Sequence, residues 1–426
     1  MAEDRHAMWQ DLGMDLATHD QLCAVLPQAF GDVFLSQKNR PEGMAFWDMV
    51  VADIHGIRPA ELVEAQKKGQ KVFGTFCTYV PDEVVIACNG IVTGLCGGSQ
   101  FWVLEGEKYL PADVCPLIKA SLGARLGKTC PFFRIADEFV GETTCDGKKK
   151  MYEILASDAP TYVMQTPQMK RPKDIDSWAD EIALFARNVE EVTGNTLTAE
   201  KLATAITTIN ARRRALARVY ETRKNPDIIP ISGTDALLMM QIAFFDDPIR
   251  CTEMANNLAG ELEQRLADGV SVFPAGTKRI LLTGTPLAIP NWKLHHIIET
   301  SGAAIVCEEN CTGTKFFTNL VDESASDLPG QFHALAERYM KINCACFTPN
   351  TARIEEVLDL ARAYQVDGVI NTNLKFCTTF KVEAPALESA LEAQGIPVLD
   401  IETDYTDNDV EQLRTRVQAF VEMLGE

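Results

Sequence analysis

The stretch GETTCDGKKKMYEIL, residues 141–155, joins the end of a predicted strand to the start of a predicted helix. Cys145 stands at the junction, directly before Asp146, Gly147 and three lysines. In an open parallel sheet, the loops at the carboxyl ends of the strands converge on one crevice, where ligands bind. The free amides and the macrodipole of a helix N-terminus favour a thiolate over a thiol. Cys145 is therefore predicted to face a ligand site at the top of a sheet.

Short β-prone runs alternate with helical stretches on both sides of this junction. The runs of the first half are KVFGTFCTYV, NGIVTGLCGG, DEFVGETTC and PTYVMQTPQ, and those of the second half are RILLTGTPLA, AAIVCEEN, VDGVINTNLKF and IPVLDIETDY. Between the later strands the pattern predicts helices around 291–300, 330–341, 351–364, 384–394 and 408–424. Such alternation predicts mostly parallel sheets that are covered by helices on both faces.

The two alternating regions flank a segment that is helical throughout. One apolar helix face is formed by Trp178, Ile182, Phe185, Val189 and Val192. Thr198 is the predicted N-cap of a long second helix. We therefore predict an α/β protein in which two Rossmann-like domains with parallel sheets are joined by a helical segment. The predicted boundaries are an N-terminal helical region at 1–70, the first domain at 71–175, the helical segment at 176–268 and the second domain at 269–426.

Composition narrows the class of protein. The 426 residues are 46% hydrophobic and carry a formal net charge of −20. An acidic chain is poorly suited to bind nucleic acid or an anionic membrane, so we expect neither. The N-terminus lacks a basic stretch followed by an apolar core, and we expect a cytoplasmic protein. Thirteen cysteines in a reducing compartment then indicate metal or cluster binding, catalysis or plain burial.

The positions of the cysteines separate these uses. Many lie in loops at predicted strand ends, whereas Cys23, Cys88, Cys251 and Cys307 lie within strands or helices and are expected to be plain buried residues. Zinc sites normally show paired C-x-x-C knuckles, and the sequence contains none. Cysteines spread one per loop suit a cofactor held between two domains. Cys-Pro steps such as Cys115-Pro116 are common beside iron–sulfur clusters.

Eight longer stretches carry a family resemblance: GTFCTYVPDEVV, CPLIKASLG, VGETTCDGKKKMYEIL, PQMKRP, PISGTDALLMMQ, PNWKLHHIIETSGA, CACFTPN and VDGVINTNLKFC. Together they resemble the 2-hydroxyacyl-CoA dehydratase / benzoyl-CoA reductase family, and within it the double-cubane cluster proteins. The resemblance runs from about residue 70 to the C-terminus. It implies two Rossmann-like domains with an iron–sulfur cluster between them, and low-potential electrons from a separate ATP-hydrolysing activator.

The resemblance also implies a set of ligands. Dehydratase members hold one [4Fe-4S] cluster through three cysteines, and the matching positions are Cys115, Cys145 and Cys377. The double-cubane branch holds an [8Fe-9S] cluster through six. By their positions in the loops of the second domain, we predict Cys311, Cys344 and Cys346 as the other three.

Two further cysteines are candidates for lining the cluster without ligating it. Cys77 follows the first strand. Cys130 precedes a proline but follows a helix that should return to the far side of the sheet, and the six-residue connection to Asp137 spans about 20 Å at most.

Weaker candidates concern protons and docking. His295 and His296 are candidate proton donors, and Glu308 and Glu309 are candidate proton relays, with a solvated turn as the alternative for the two glutamates. A basic run is either a solvated or ion-paired helix face or a docking face for the activator. It consists of Arg212, Arg213, Arg214, Arg218, Arg223 and Lys224.

Three functions remain open. The leading prediction is a homodimeric iron–sulfur reductase, an oxidoreductase that reduces a small molecule at a double-cubane cluster after ATP-dependent electron delivery. The first alternative is a subunit of a 2-hydroxyacyl-CoA dehydratase with a single [4Fe-4S] cluster. The second is a non-catalytic electron carrier.

Overall fold

The computed structural model describes residues 2–95 and 97–425. The chain begins with a helical region, as the sequence predicts. Its helices are α1 (Ala2–Asp11), α2 (Leu16–Phe30), α3 (Met44–Ala52) and α4 (Ile57–Lys67), with a π-helical turn at Gly31–Leu35 after α2. No helix in the described ranges is long and apolar enough to cross a membrane.

The first sheet has four parallel strands in the order β2-β1-β3-β4. The strands are β1 (Val72–Thr75), β2 (Ile91–Gly94), β3 (Glu138–Glu142) and β4 (Thr161–Met164). Its helices are α5 (Asp82–Ala87), α6 (Gln100–Gly106), α7 (Pro116–Leu126), α8 (Pro131–Ile135) and α9 (Asp146–Ala156). Every residue of the central strands β1 and β3 is buried, because helices cover both faces.

The helical segment consists of α10 (Pro172–Thr193), α11 (Ala199–Thr222), α12 (Gly233–Ala243) and α13 (Pro248–Ala267). The predicted apolar face of α10 is buried from Trp178 to Val189. The Thr198 side chain accepts a hydrogen bond from the Lys201 amide, which confirms it as the N-cap of α11. All of α12 is buried, so this helix forms part of the core.

The second sheet repeats the topology of the first, with the order β6-β5-β7-β8 and all strands parallel. Its strands are β5 (Lys278–Gly284), β6 (Ala303–Glu309), β7 (Gly368–Leu374) and β8 (Val398–Thr403). Its helices are α14 (Lys293–Thr300), α15 (Thr314–Phe317), α16 (Leu328–Met340), α17 (Thr351–Ala363), α18 (Thr378–Glu392) and α19 (Val410–Met423). The predicted α/β class with two Rossmann-like sheets is confirmed.

Hydrogen bonds from the first sheet and its loops to backbone carbonyls of the second half of the chain hold the two halves together. The Gly98 amide donates a hydrogen bond to the Ile289 carbonyl at 2.9 Å, and the Gly94 amide donates to the Phe244 carbonyl at 2.8 Å. The Tyr79 hydroxyl donates to the Ile342 carbonyl at 2.9 Å. These contacts bring the carboxyl ends of β1 and β2 against loops of the second half. In each sheet the strand order reverses between the two central strands, β1 and β3 or β5 and β7, and such a switch point is where these folds bind ligands.

Candidate metal centre

A cavity of about 550 Å³ lies between the two sheets. Among the described cysteines seven line it, and they are Cys77, Cys115, Cys145, Cys311, Cys344, Cys346 and Cys377. The structure therefore brings all six predicted ligands and the predicted lining residue Cys77 to one place. Their role as ligands stays a prediction.

Three of these cysteines share one local structure. Cys115, Cys145 and Cys377 are the N-cap residues of α7, α9 and α18. A residue at this position faces backbone amides that have no partner within the helix. None of the three makes a regular capping hydrogen bond, but neighbouring amides act to lower the pKa of each thiol, and in Cys145 and Cys377 larger effects outweigh them. Three helix N-termini therefore point at one cavity and favour negative charge there.

Cys145 shows how these effects balance. Burial raises the pKa of its thiol, whereas the charge of Lys148 and the Lys148 amide act to lower it. Burial is the larger effect, so the position at the helix N-terminus is not enough to make this cysteine a thiolate. The run of lysines after Cys145 divides by exposure: Lys148 lines the cavity, whereas Lys150 is 69% exposed and pairs with Glu153.

The thiols lie in direct contact in pairs. A hydrogen bond with Cys311 lowers the pKa of Cys77 to about 6. A hydrogen bond with Cys346 lowers the pKa of Cys344 to about 6, and the charges of Lys315 and Arg353 act in the same direction. Cys115 and Cys377 form the third pair, in which the hydrogen bond lowers the pKa of Cys115 and raises that of Cys377.

The donor set fits an iron–sulfur cluster. Thiolates are soft ligands, and clusters of this kind are held by cysteines from several loops. A buried thiolate needs a metal or a cation beside it, and three of these thiols, those of Cys77, Cys115 and Cys344, have a lowered pKa. Positive charge is available from Lys148, which lines the cavity, and from the buried Lys315 and Arg353.

Cys77 was predicted only to line the cluster, but its position would also allow it to be a ligand. It follows β1 and shares a hydrogen bond with Cys311, one of the predicted ligands. The signal in the sequence was its position at a strand end, which is the same signal that selected Cys145. The contact with Cys311 joins residues from the two halves of the chain, and sequence spacing carries no information on such a contact.

The other cysteines lie elsewhere. Cys130 is buried at the N-cap of α8, ahead of the amino end of β3, and does not line the cavity. This agrees with the argument from its short connection to Asp137. Cys88, Cys251 and Cys307 are fully buried. Cys96 lies outside the described residues.

The candidate proton donors and relays do not line the cavity. His295 is fully buried, with its Nε2 atom 3.4 Å from Oε1 of Glu308, and His296 is half-buried on the same helix. The alternative of a solvated turn at Glu308 and Glu309 is wrong, because both side chains are fully buried at the end of β6. Glu308 binds Arg223, and Glu309 lies 2.6 Å from the Lys315 ammonium.

The basic run is ion-paired. Arg212, Arg213 and Arg223 are buried and pair with Asp82, Glu83 and Glu308. Arg214, Arg218 and Lys224 are more exposed, and they pair with Glu323, Glu263 and Glu221. The buried three cannot form a docking surface, because their charges are enclosed by the protein.

A buried carboxyl beside the cavity was missed in the sequence. Glu142 ends β3 and is fully buried, and its carboxyl group contacts the ammonium group of Lys148. Burial raises the pKa of Glu142 to about 8, against the lowering effect of Lys148. The Tyr152 hydroxyl donates to Glu142 at 3.3 Å. The sequence does carry a signal for it, because Glu142 stands at the carboxyl end of a predicted strand, two residues after the apolar Val140.

Comparison with known proteins decides the family. The family model described as "2-hydroxyglutaryl-CoA dehydratase, D-component" matches residues 77–424. The chain belongs to the 2-hydroxyacyl-CoA dehydratase family. Within this family it is 38% identical over 370 residues to the "Putative dehydratase subunit YjiM" of Escherichia coli (strain K12), covering 85% of this chain and 94% of that protein.

More distant relatives in the dehydratase family carry names with a substrate. The "(R)-phenyllactyl-CoA dehydratase beta subunit" of Clostridium sporogenes is 25% identical, covering 84% of this chain and 93% of that protein. The "(R)-2-hydroxyglutaryl-CoA dehydratase, subunit beta" of Acidaminococcus fermentans is 24% identical, covering 85% and 95%. These comparisons confirm the resemblance at the level of the family.

Proposed function

We propose that this chain is the iron–sulfur reductase component of a two-protein system and that it holds an [8Fe-9S] double-cubane cluster. The observation that supports the proposal is the convergence of seven cysteines on one cavity. A single [4Fe-4S] cluster takes at most four thiolates. Cys115, Cys145 and Cys377 would hold one cubane, and Cys311, Cys344 and Cys346 the other, with Cys77 as a seventh sulfur beside Cys311.

The cluster, when bound, would supply low-potential electrons to a small molecule. The residues of this chain would shield it and its substrate from water. The cavity wall includes the aromatic side chains of Phe76, Phe244, Phe245, Phe376 and Phe380. Exclusion of water strengthens electrostatic interactions and limits competing reactions. Lys148 and Glu142 would together hold a proton at the edge of this cavity, where a reduced substrate needs one.

The proposal includes a separate ATP-hydrolysing iron–sulfur activator as electron donor, and a homodimer as the assembly. Both rest on the resemblance to the double-cubane branch of the family. A cluster held between the two sheets would also need an external source of electrons, which the activator would provide. Contacts between electron-transfer partners are small and sensitive to salt. We therefore expect activator-dependent turnover to fall as ionic strength rises.

A dehydratase subunit is the second candidate, and the names of the relatives favour it. Such a chain would hold a single [4Fe-4S] cluster through Cys115, Cys145 and Cys377. The four remaining cysteines of the cavity then have no assigned role. An electron carrier is the third candidate, but a carrier needs no cavity of this size with apolar walls.

Iron and acid-labile sulfide content per chain tests the proposal on anaerobically purified protein. We expect about eight irons with slightly more sulfide, and loss of iron in Cys311→Ala and Cys346→Ala. Cys251→Ala is the matched control, because Cys251 is a buried cysteine outside the cavity wall. Cys77 shares a hydrogen bond with Cys311 and is therefore close enough to be a ligand itself. The iron content of Cys77→Ala shows whether Cys77 binds the cluster or only lines the cavity.

Each alternative has its own result. About four irons, unchanged in the Cys311 and Cys346 variants, would contradict the double cubane and support the dehydratase cluster. Iron lost from Cys77→Ala would add Cys77 to the ligands. If about eight irons are present but no small molecule is turned over with activator and ATP, the result would support the third candidate, a non-catalytic electron carrier.

A further inference from the structure

Three side chains of the N-terminal region place ligand atoms within 4.8 Å of one another, away from the cysteine cavity. They are His19, Cys23 and His55. Nε2 of His19 lies 3.0 Å from Nδ1 of His55, and Sγ of Cys23 lies 3.4 Å from the first nitrogen and 3.6 Å from the second. Two imidazoles and a thiol that meet in this way are a donor set for a borderline-soft divalent metal.

The fold holds these ligands in place from two sides. His19 and Cys23 are four residues apart on α2 and therefore lie on the same helix face. His55 comes from the turn between α3 and α4. Trp9 supports both histidines: its indole N–H donates to the His55 carbonyl at 2.8 Å, and its ring lies 4.4 Å from the His19 ring between centroids. Both histidines are buried.

The orientation of the His19 ring is the one that metal sites use. Its Nδ1 atom lies 3.1 Å from Oδ1 of Asp20. A carboxylate only accepts hydrogen bonds, so Nδ1 carries the proton and the lone pair of Nε2 faces Cys23 and His55. A carboxylate behind a metal-binding histidine fixes its tautomer in this way.

The spacing agrees with one ion at the centre. Zinc binds histidine nitrogen at about 2.0–2.1 Å and cysteine sulfur at about 2.3 Å, usually in tetrahedral geometry. Tetrahedral angles then separate two nitrogens by about 3.3 Å and a nitrogen from a sulfur by about 3.6 Å. The observed separations are 3.0, 3.4 and 3.6 Å. A zinc ion fits with shifts of a few tenths of an ångström.

We propose that His19, Cys23 and His55 bind one zinc ion, which fastens α2 to the turn between α3 and α4. Cys23 is half-buried, so water can reach the fourth position. The zinc would be structural, and it would be independent of the iron of the cavity.

Zinc and iron are measured together on anaerobically purified full-length protein. We expect about one zinc per chain in the wild type, on the basis of a single three-ligand site. Cys23→Ala and His55→Ala should lose the zinc and keep the iron. Cys88→Ala is the control, because Cys88 is a buried cysteine in another part of the first domain. It should keep both metals.

X-ray absorption at the zinc edge distinguishes this site from zinc that has entered the cysteine cavity. One sulfur together with nitrogen neighbours supports the proposal. Four sulfurs and no nitrogen overturns it. A His55→Cys variant should keep zinc with one sulfur added, and it tests the site if the alanine variants fail to fold. Wild-type protein with full iron, no zinc and no uptake from added Zn²⁺ would show a hydrogen-bonded pair of histidines without a metal.

Discussion

Glu142 and Lys148 form a polar pair beside the cavity that contributes no thiol to it. Glu142 is fully buried and its pKa is raised to about 8, chiefly by burial. It is therefore protonated below about pH 8 and ionised above it. If this pair delivers protons to a bound substrate, turnover with activator and ATP should fall as the pH rises through about 8, because the donor is then lost.

Variants of this pair separate proton delivery from folding. We expect Glu142→Gln to abolish the decline near pH 8 and to lower turnover by roughly 10²-fold or more, the usual contribution of a positioned acid. Lys148→Met should lower turnover similarly, and both variants should keep the iron content of the wild type. Lys150→Met is the control, because Lys150 is exposed and pairs with Glu153. A pH profile that is unchanged in Glu142→Gln would contradict the role.

The apolar pattern of the sequence predicts most helices and strands but misplaces one helix start. All eight predicted strands exist, and the predicted helices are present, because apolar periodicity reflects burial on sheets and helix faces. The helix expected from residue 384 begins at Thr378 instead. The structure places Pro385 inside this helix.

The alternative of a solvated turn at the end of β6 was wrong for a different reason. Consecutive glutamates suggested a solvated turn, but Glu308 is enclosed by α11. Arg223 binds both of its oxygens, at 2.7 and 2.9 Å, and the Tyr220 hydroxyl donates to it at 2.7 Å. These partners are more than 80 residues away in the sequence. A buried charge is stable only beside its partner, and local pattern does not reveal a partner from another element.

This ion pair predicts a large effect on stability. Arg223→Met should cost about 3–5 kcal/mol in the free energy of unfolding, because it leaves Glu308 buried without its counter-charge. Arg218→Met is the matched control on the same helix; its pair with Glu263 is exposed, so the cost should stay below about 1 kcal/mol. Urea denaturation monitored by circular dichroism measures both. Equal small costs would contradict the structural importance of the buried pair.

The same pair carries a pH dependence. Burial acts to raise the pKa of Glu308, but Arg223 and His295 outweigh it and lower the pKa from its ordinary value of 4.5 to about 2. The stabilisation is therefore complete above about pH 4.5 and is lost as the pH falls towards about 2. The urea midpoint of the wild type should decline over this range more steeply than that of Glu308→Gln, in which the group no longer titrates.

At the scale of the whole molecule, the sequence predicted the meeting of the cysteines from one topological rule. Loops after parallel strands converge, so cysteines at strand ends were expected to share a crevice. The rule does not say which thiols touch across the two halves, as Cys77 and Cys311 do. Nor does it find a site such as His19, Cys23 and His55, because that site depends on how helices outside the sheets pack.

The cavity exists because the two sheets meet closely, and Gly98 tests that contact. Its amide donates to the Ile289 carbonyl, and a Cβ atom at this position would overlap the carbonyl oxygen of Ala288. The neighbour is backbone and cannot rotate away, so Gly98→Ala should force the halves apart. If the proposed cluster occupies the cavity, we expect the variant to lose most of its iron and to bleach faster in air, which the visible absorption would measure. Gly260→Ala is the matched control, because the nearest atom to its added Cβ is a side-chain nitrogen of Arg218 at 3.9 Å. That variant should bleach no faster than the wild type; if Gly98→Ala behaves in the same way, the close approach of the two sheets is not what protects the site.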